Sequence, residues 1–210
     1  MTSQESTGNP RGRPHTPGLR DHLLKHTLRI LLRDGYRKFS MGAVAASAGA
    51  SKETLYRRFG DRSGLLTAAL EKYSEGVEAL LLANITPDLD TTKRLRQLAL
   101  NYLHGCYLPE AVALQRIACS DGAAGLGPLF AEKFTDRAVA ILTAELERMG
   151  TPNPAADAEV FLGMIEGKLR ERVLLGARLR AFEKRRDAIV DHAVSIFAGY
   201  LRKPSGSSRR

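Results

Sequence analysis

The chain has little of what most chemistries require. Only two cysteines, Cys106 and Cys119, occur in 210 residues, too few for a disulfide framework and without zinc-ligand spacing around them. There is no glycine-rich phosphate loop and no separated carboxylate pair, and His104 with Cys119, Ser120 and Asp121 are all that resembles nucleophile chemistry. The chain is therefore not expected to be an enzyme, to bind a metal or to carry a cofactor. No apolar run approaches the length of a membrane-crossing helix, and no signal-peptide core is present, so the expected compartment is the cytoplasm. No stretch alternates with period two, which excludes a sheet and leaves an all-α chain.

What the chain does have is cations in particular places. Its net charge is +9, which favours a polyanionic partner. Residues 1–64 hold twelve lysines and arginines against five acids, a net of +7, whereas residues 65–201 hold sixteen against eighteen, a net of −2. The basic end is thus an expected nucleic-acid head and the near-neutral remainder a helical body. The expected division is a disordered basic arm over 1–18, a DNA-binding head over 19–64, a ligand-binding and dimerisation body over 65–202 and a basic tail over 203–210.

Within the head, Leu24, Thr27, Leu28, Leu31 and Leu32 form one apolar face of a helix over Leu19 to Asp34, ended by Gly35. His22 and His26 lie one turn apart on it without a third ligand and read as solvated histidines. Ser40 can cap a short alanine-rich helix over 41–48, Gly49 can break it, and Ser51 can start a second helix over 52–59. Val44, Ala45 and Ala48 can meet Leu55 and Phe59 across that tight turn, which is the pattern of a helix-turn-helix. The outer face of the second helix carries Lys52, Thr54, Tyr56, Arg57 and Arg58, donors for phosphates and base edges. With Ser40 and Ser51 these make the expected DNA contacts.

Gly35, Tyr36, Ser40, Met41, Val44, Ala45, Ala48, Gly49, Ser51, Lys52, Thr54, Leu55, Tyr56, Phe59, Leu65 and Leu66 together resemble the amino-terminal signature of the tetracycline-repressor (TetR) family. That resemblance implies an all-helical homodimer whose first three helices bind double-stranded DNA, commonly a palindrome. It also implies that the first turn of the next helix, over 62–83, touches phosphate, a role that falls to Arg62. Ala50 stands where the family often has valine, and Glu53 where glycine is common. Glu53 must therefore point aside or accept from a cytosine amino group.

In the arm, Pro10-Arg11-Gly12-Arg13-Pro14 resembles the core of an AT-hook, so Arg11 and Arg13 are expected in a narrow minor groove. Past residue 90 the pattern is helical throughout: 91–107, 109–121, a helix of about twenty residues from Pro128 to Arg148, 155–180 and 182–202. The runs starting at Leu95, Pro109 and Phe161 resemble the AefR-type carboxy-terminal domain of part of the family. An effector pocket is expected among Tyr102, Leu114, Ile117, Phe130, Phe134, Phe161 and Ile165, with Glu166 or Lys168 as polar anchors, and it suits a hydrophobic or amphipathic molecule. Gly163 and Gly167, with Ile189, Ala193, Ile196, Phe197 and Tyr200, are the expected dimer surface. The function read from all this is a homodimeric repressor released from its operator by a small molecule. An architectural binder of A·T-rich DNA and a thiol redox sensor are the competing readings.

Overall fold

The structure, a computed structural model, describes residues 18–121, 125–177 and 180–201. The arm with Arg11 and Arg13 and the tail beyond residue 201 lie outside the described residues. Ten α-helices and one π-helical turn make up the described chain, and it contains no strand.

The head consists of α1 (Leu19–Lys38), α2 (Met41–Ala48) and α3 (Lys52–Phe59), completed by the first turns of α4 (Arg62–Leu81). Leu23, Leu24, Ile30, Leu31, Val44 and Leu55, each at most 1% exposed, close together with Leu65, Leu66 and Leu70 of α4. Each such side chain contributes about 1.5–3 kcal/mol by leaving water. The head core thus continues past residue 64 into α4. It continues further still, because Leu114 and Ala118 of α6 (Pro109–Asp121) and Leu126 of α7 (Leu126–Phe130) belong to the same cluster.

The three helices after α1 are each begun by a capping side chain. The Ser40, Ser51 and Asp61 oxygens accept from the backbone N–H of Ala43, Thr54 and Gly64 at 3.2, 3.1 and 2.8 Å, which satisfies first-turn donors that have no partner within their own helix. Gly49 ends α2 at φ 62°, ψ 30°, a left-handed conformation that a side chain disfavours. Gly35 breaks α1 as expected, at φ 77°, yet the chain resumes helical geometry for one more turn to Lys38. That turn places the Tyr36 and Phe39 carbonyls beside Arg62.

The body packs α5 (Thr91–Cys106), α8 (Arg137–Arg148), α9 (Pro154–Leu174) and α10 (Arg180–Leu201) around a second cluster that includes Leu81 at the far end of α4. Asn101 of α5 donates to the Leu81 and Ala83 carbonyls at 3.0 and 2.7 Å, capping α4. Buried Glu145 accepts from Arg94 at 2.9 Å and from Arg148, so its charge is paired on both oxygens. Two expected helices differ in the structure. The helix from Pro128 to Arg148 is continuous from Leu126 but contains a π-helical turn over Ala131–Asp136. The helix expected over 155–180 ends at Leu174 and is broken at Gly167, where φ is 48°.

The junction of α3 and α4 generates a stability test. An alanine Cβ at Gly64 would lie 2.1 Å from the Phe59 carbonyl oxygen, a backbone atom that cannot rotate away. Gly64→Ala should cost about 1–3 kcal/mol in urea unfolding, as overpacking does. Gly76→Ala, in the same helix with nothing within 4 Å, should instead gain about 0.5–1 kcal/mol.

Candidate nucleic-acid interface and effector cavity

The exposed side of α3 is set by one buried residue. Leu55 is fully buried, while Lys52, Tyr56 and Arg57 around it are exposed. Tyr56 is 53% exposed, which leaves its ring and hydroxyl available for contact. The stem of Lys52 lies across Gly42 of α2, where an added Cβ would meet its Cε at 2.9 Å. The Ser51 and Thr54 hydroxyls are bonded to each other at 2.8 Å, leaving both at the exposed start of α3. Half-buried Arg58 has a buried Nε with no acceptor among the described residues. Ser40 is exposed at the start of α2. Apart from Arg11, Arg13 and Arg62, the residues expected to contact DNA therefore gather around the start and outer face of α3.

Arg62 has a structural role that the sequence did not suggest. Its guanidinium donates to the Tyr36 carbonyl at 2.6 Å and the Phe39 carbonyl at 3.0 Å, and it stacks 4.2 Å from the Tyr36 ring centroid and 5.3 Å from that of Phe39. A cation held this way joins the end of α1 to the start of α4. Planar geometry and several donors suit arginine to this role, and lysine lacks both. His22 and His26 also do more than meet solvent. His22 Nε2 lies 3.1 Å from the Ala48 carbonyl and His26 Nδ1 2.8 Å from Ser47 Oγ, so α1 holds the end of α2 just before the turn. Partial burial, then Arg29, lowers the pKa of His26.

In the body, a partly open cavity of about 60 Å³ lies among α4, α5, α6, α9 and the segment from Phe130 to Ala138. Of the residues expected to form a pocket, Tyr102, Phe130 and Phe134 line it. Phe130 and Phe134 stack at 4.6 Å, and Tyr73 meets Phe134 at 5.7 Å. Leu114 and Ile117 belong instead to the head cluster, while Phe161 and Ile165 are fully buried in the body core. Lys168 is exposed and cannot anchor a ligand there. The cation in the wall is Arg170, which donates to both oxygens of Glu166 at 3.0 and 3.1 Å. Glu166 also accepts from the Tyr102 hydroxyl, so its charge is already partnered. Periodicity could not separate core from cavity, because both use the same apolar residue types.

The expected dimer residues divide in the same way. Ala193 and Phe197 are buried in their own subunit, with Phe197 4.9 Å from Phe161. Gly163 and Gly167 are exposed on α9, as are Ile196 and Tyr200 on α10, while Ile189 is half-buried. Val160, 57% exposed one turn before Gly163, extends this apolar face and was not expected.

Comparison with known proteins matches these two parts. Residues 23–69 match the bacterial regulatory proteins of the tetR family, and residues 93–200, about half of the chain, match the AefR-like transcriptional repressor carboxy-terminal domain. The chain belongs to the TetR family. TetR-family proteins are DNA-binding transcriptional regulators that dimerise. The chain is 51% identical over 51 residues to the DNA-binding transcriptional repressor TetR of Mycobacteroides abscessus, covering 24% of this chain and 27% of that one. It is 42% identical over 77 residues to an HTH-type transcriptional regulator of Mycobacterium bovis, covering 36% and 37%. This TetR-family chain thus spans well under half the length of these relatives. A TetR-family regulator from Mesorhizobium loti superposes with a TM-score of 0.75 at 21% identity, over 89% of this chain and 98% of that one, and shares the fold. Among the described residues no helix is long and apolar enough to cross a membrane.

Two tests follow from these side chains. Arg62→Ala should lower stability by about 1–3 kcal/mol through two buried carbonyls left unpaired, and Arg62→Lys should restore little of it. In the body, burial pushes the Cys106 thiol up to about 12, with Glu166 adding to the effect, while Cys119 is exposed. Thiolates are the reactive form. Iodoacetamide at pH 8 should therefore label Cys119 and spare Cys106 until the protein unfolds or the pH nears 12; labelling of both in the folded protein would contradict this environment.

Proposed function

We infer that the protein is a homodimeric repressor that binds a palindromic operator through α3 and leaves it when a small hydrophobic or amphipathic molecule occupies the body cavity. The observation that carries this reading is the double use of α4. Its first half supplies Leu65, Leu66 and Leu70 to the head core, and its second half supplies Tyr73, Val77 and Leu81 to the cavity wall. A change in the cavity is thus a change in the helix that orients α3. Ion pairs support the coupling: Lys133 of the π-helical turn meets Glu71 at 3.0 Å, and Arg137 meets Glu78 at 2.6 Å. Individually these exposed pairs are worth about 0–1 kcal/mol, so they bias the position of α4 without locking it.

The cavity is smaller than the roughly 300–1,000 Å³ of typical ligand sites. An effector must enlarge it, and the π-helical turn with Phe130 and Phe134 is the wall best able to yield, since such turns accommodate one residue more than an α-helix. Dimerisation is supported by the apolar face of Val160, Gly163, Ile196 and Tyr200. A two-fold pair of short recognition helices reads two half-sites about 34 Å apart. Cys106 is poorly suited to thiol sensing because its thiolate is disfavoured, which weighs against redox release through that residue.

Lys52→Ala combined with Tyr56→Ala should abolish operator binding with little change in unfolding free energy, because both side chains are exposed. Loss of Arg57 or Arg58 should lower the salt slope of binding by about one unit for each phosphate contact removed. Footprinting should show one short palindrome. Protection scattered over A·T-rich DNA would favour the architectural reading, and normal operator affinity in the double variant would overturn the assignment of α3.

A further inference from the structure

A groove runs along the seam between head and body, distinct from the body cavity. Its floor is apolar: Leu28 and Leu32 of α1, Leu114 of α6 and Tyr73 of α4. Its rim is basic, because Lys25, Arg29 and Arg33 recur at every fourth position of α1 and are exposed, a row of about 12 Å at 1.5 Å per residue. The groove measures about 530 Å³, within the range that small molecules occupy.

The rim charges are unequally compensated. Arg33 is bonded to Asp34 through two contacts of 2.7 Å. Among the described residues no carboxylate pairs with Lys25 or Arg29, and Arg29 instead rests 3.2 Å from the ring nitrogens of His26. The one acid lining the groove, Glu110, stands across from them in the first turn of α6.

We propose that this groove is a binding site for an amphiphilic anion, its acidic head held by Lys25 and Arg29 and its apolar part laid on the half-buried Leu28, Leu32 and Tyr73 ring, with buried Leu114 backing them. Both halves are required. A neutral amphiphile leaves two cations without a counter-charge, and an inorganic anion leaves Leu28 and Leu32 uncovered. Glu110 sets the direction, because its charge repels the head toward the α1 side and leaves the apolar end beneath α6. The walls come from the head through α1 and from the body through α4 and α6, so an occupant braces one against the other. Tyr73 also lines the body cavity, which places a single side chain between the two spaces.

Decanoate is a suitable probe, titrated calorimetrically into the full chain without DNA. One decanoate should bind per chain, weakening as sodium chloride rises because the head contacts are exposed. Decanol and sodium sulfate should each bind at least about tenfold more weakly. Lys25→Ala with Arg29→Ala, both exposed and so compatible with folding, should weaken decanoate by about tenfold or more, whereas Ala138→Leu, which narrows the body cavity, should leave it unchanged. If the Ala138 variant loses decanoate and the Lys25, Arg29 variant retains it, the molecule sits in the body cavity and the groove proposal falls while the effector reading stands. Absence of binding to the unaltered protein at millimolar decanoate overturns the groove proposal as well.

Discussion

The constraint on which the rest of the structure depends is that one unbroken helix serves two hydrophobic cores. Over its 20 residues, about 30 Å at helical rise, α4 buries Leu65, Leu66 and Leu70 among the head helices and Leu81 among those of the body. A close-packed interior does not deform continuously, so neither core can shift its end of α4 without the other registering the change. The head is coupled to the body a second time where Leu114 and Ala118 of α6 join the head cluster. Two connections at different heights make the junction resist bending.

Polar side chains from other helices close three helix ends. Arg62 satisfies carbonyls at the end of α1, Asn101 those at the end of α4, and Arg116 the Val173 and Leu174 carbonyls at the end of α9. Terminal carbonyls carry the negative end of the helix dipole and have no partners within their own helix. A cation placed there both pays for its burial and fixes the direction of the following segment. Arg62 does this between the two elements that orient α3, which is why a residue with a phosphate-binding composition has a structural occupation.

The π-helical turn gives the cavity an irregular wall. Phe130 and Phe134 stack across it beside the cavity, while Lys133 and Arg137 tie its outer side to acids on α4. Apolar contacts inward and weak ion pairs outward make a segment that can move against its neighbours at low cost. In the proposed release mechanism, its position between a small cavity and the shared helix is where a change of cavity volume would become a displacement.

The sequence by itself determined the helical class, the order of the helices and the position of the helix-turn-helix. These are local matters: Ser40, Ser51 and Gly49 carry cap and turn chemistry within a few residues of where it acts, and the charge contrast between the two ends of the chain needs no fold to be counted. The tertiary structure decided which members of each apolar stripe face outward. Phe161 and Phe130 belong to similar helical patterns, yet one fills the core and the other lines a cavity; Phe197 and Ile196 are adjacent, yet one is buried and the other 51% exposed. It also decided the work of Arg62, His22 and Arg170, because the carbonyls and carboxylate they meet lie on other turns or other helices. Periodicity specifies a face, and only packing against distant segments specifies what that face meets.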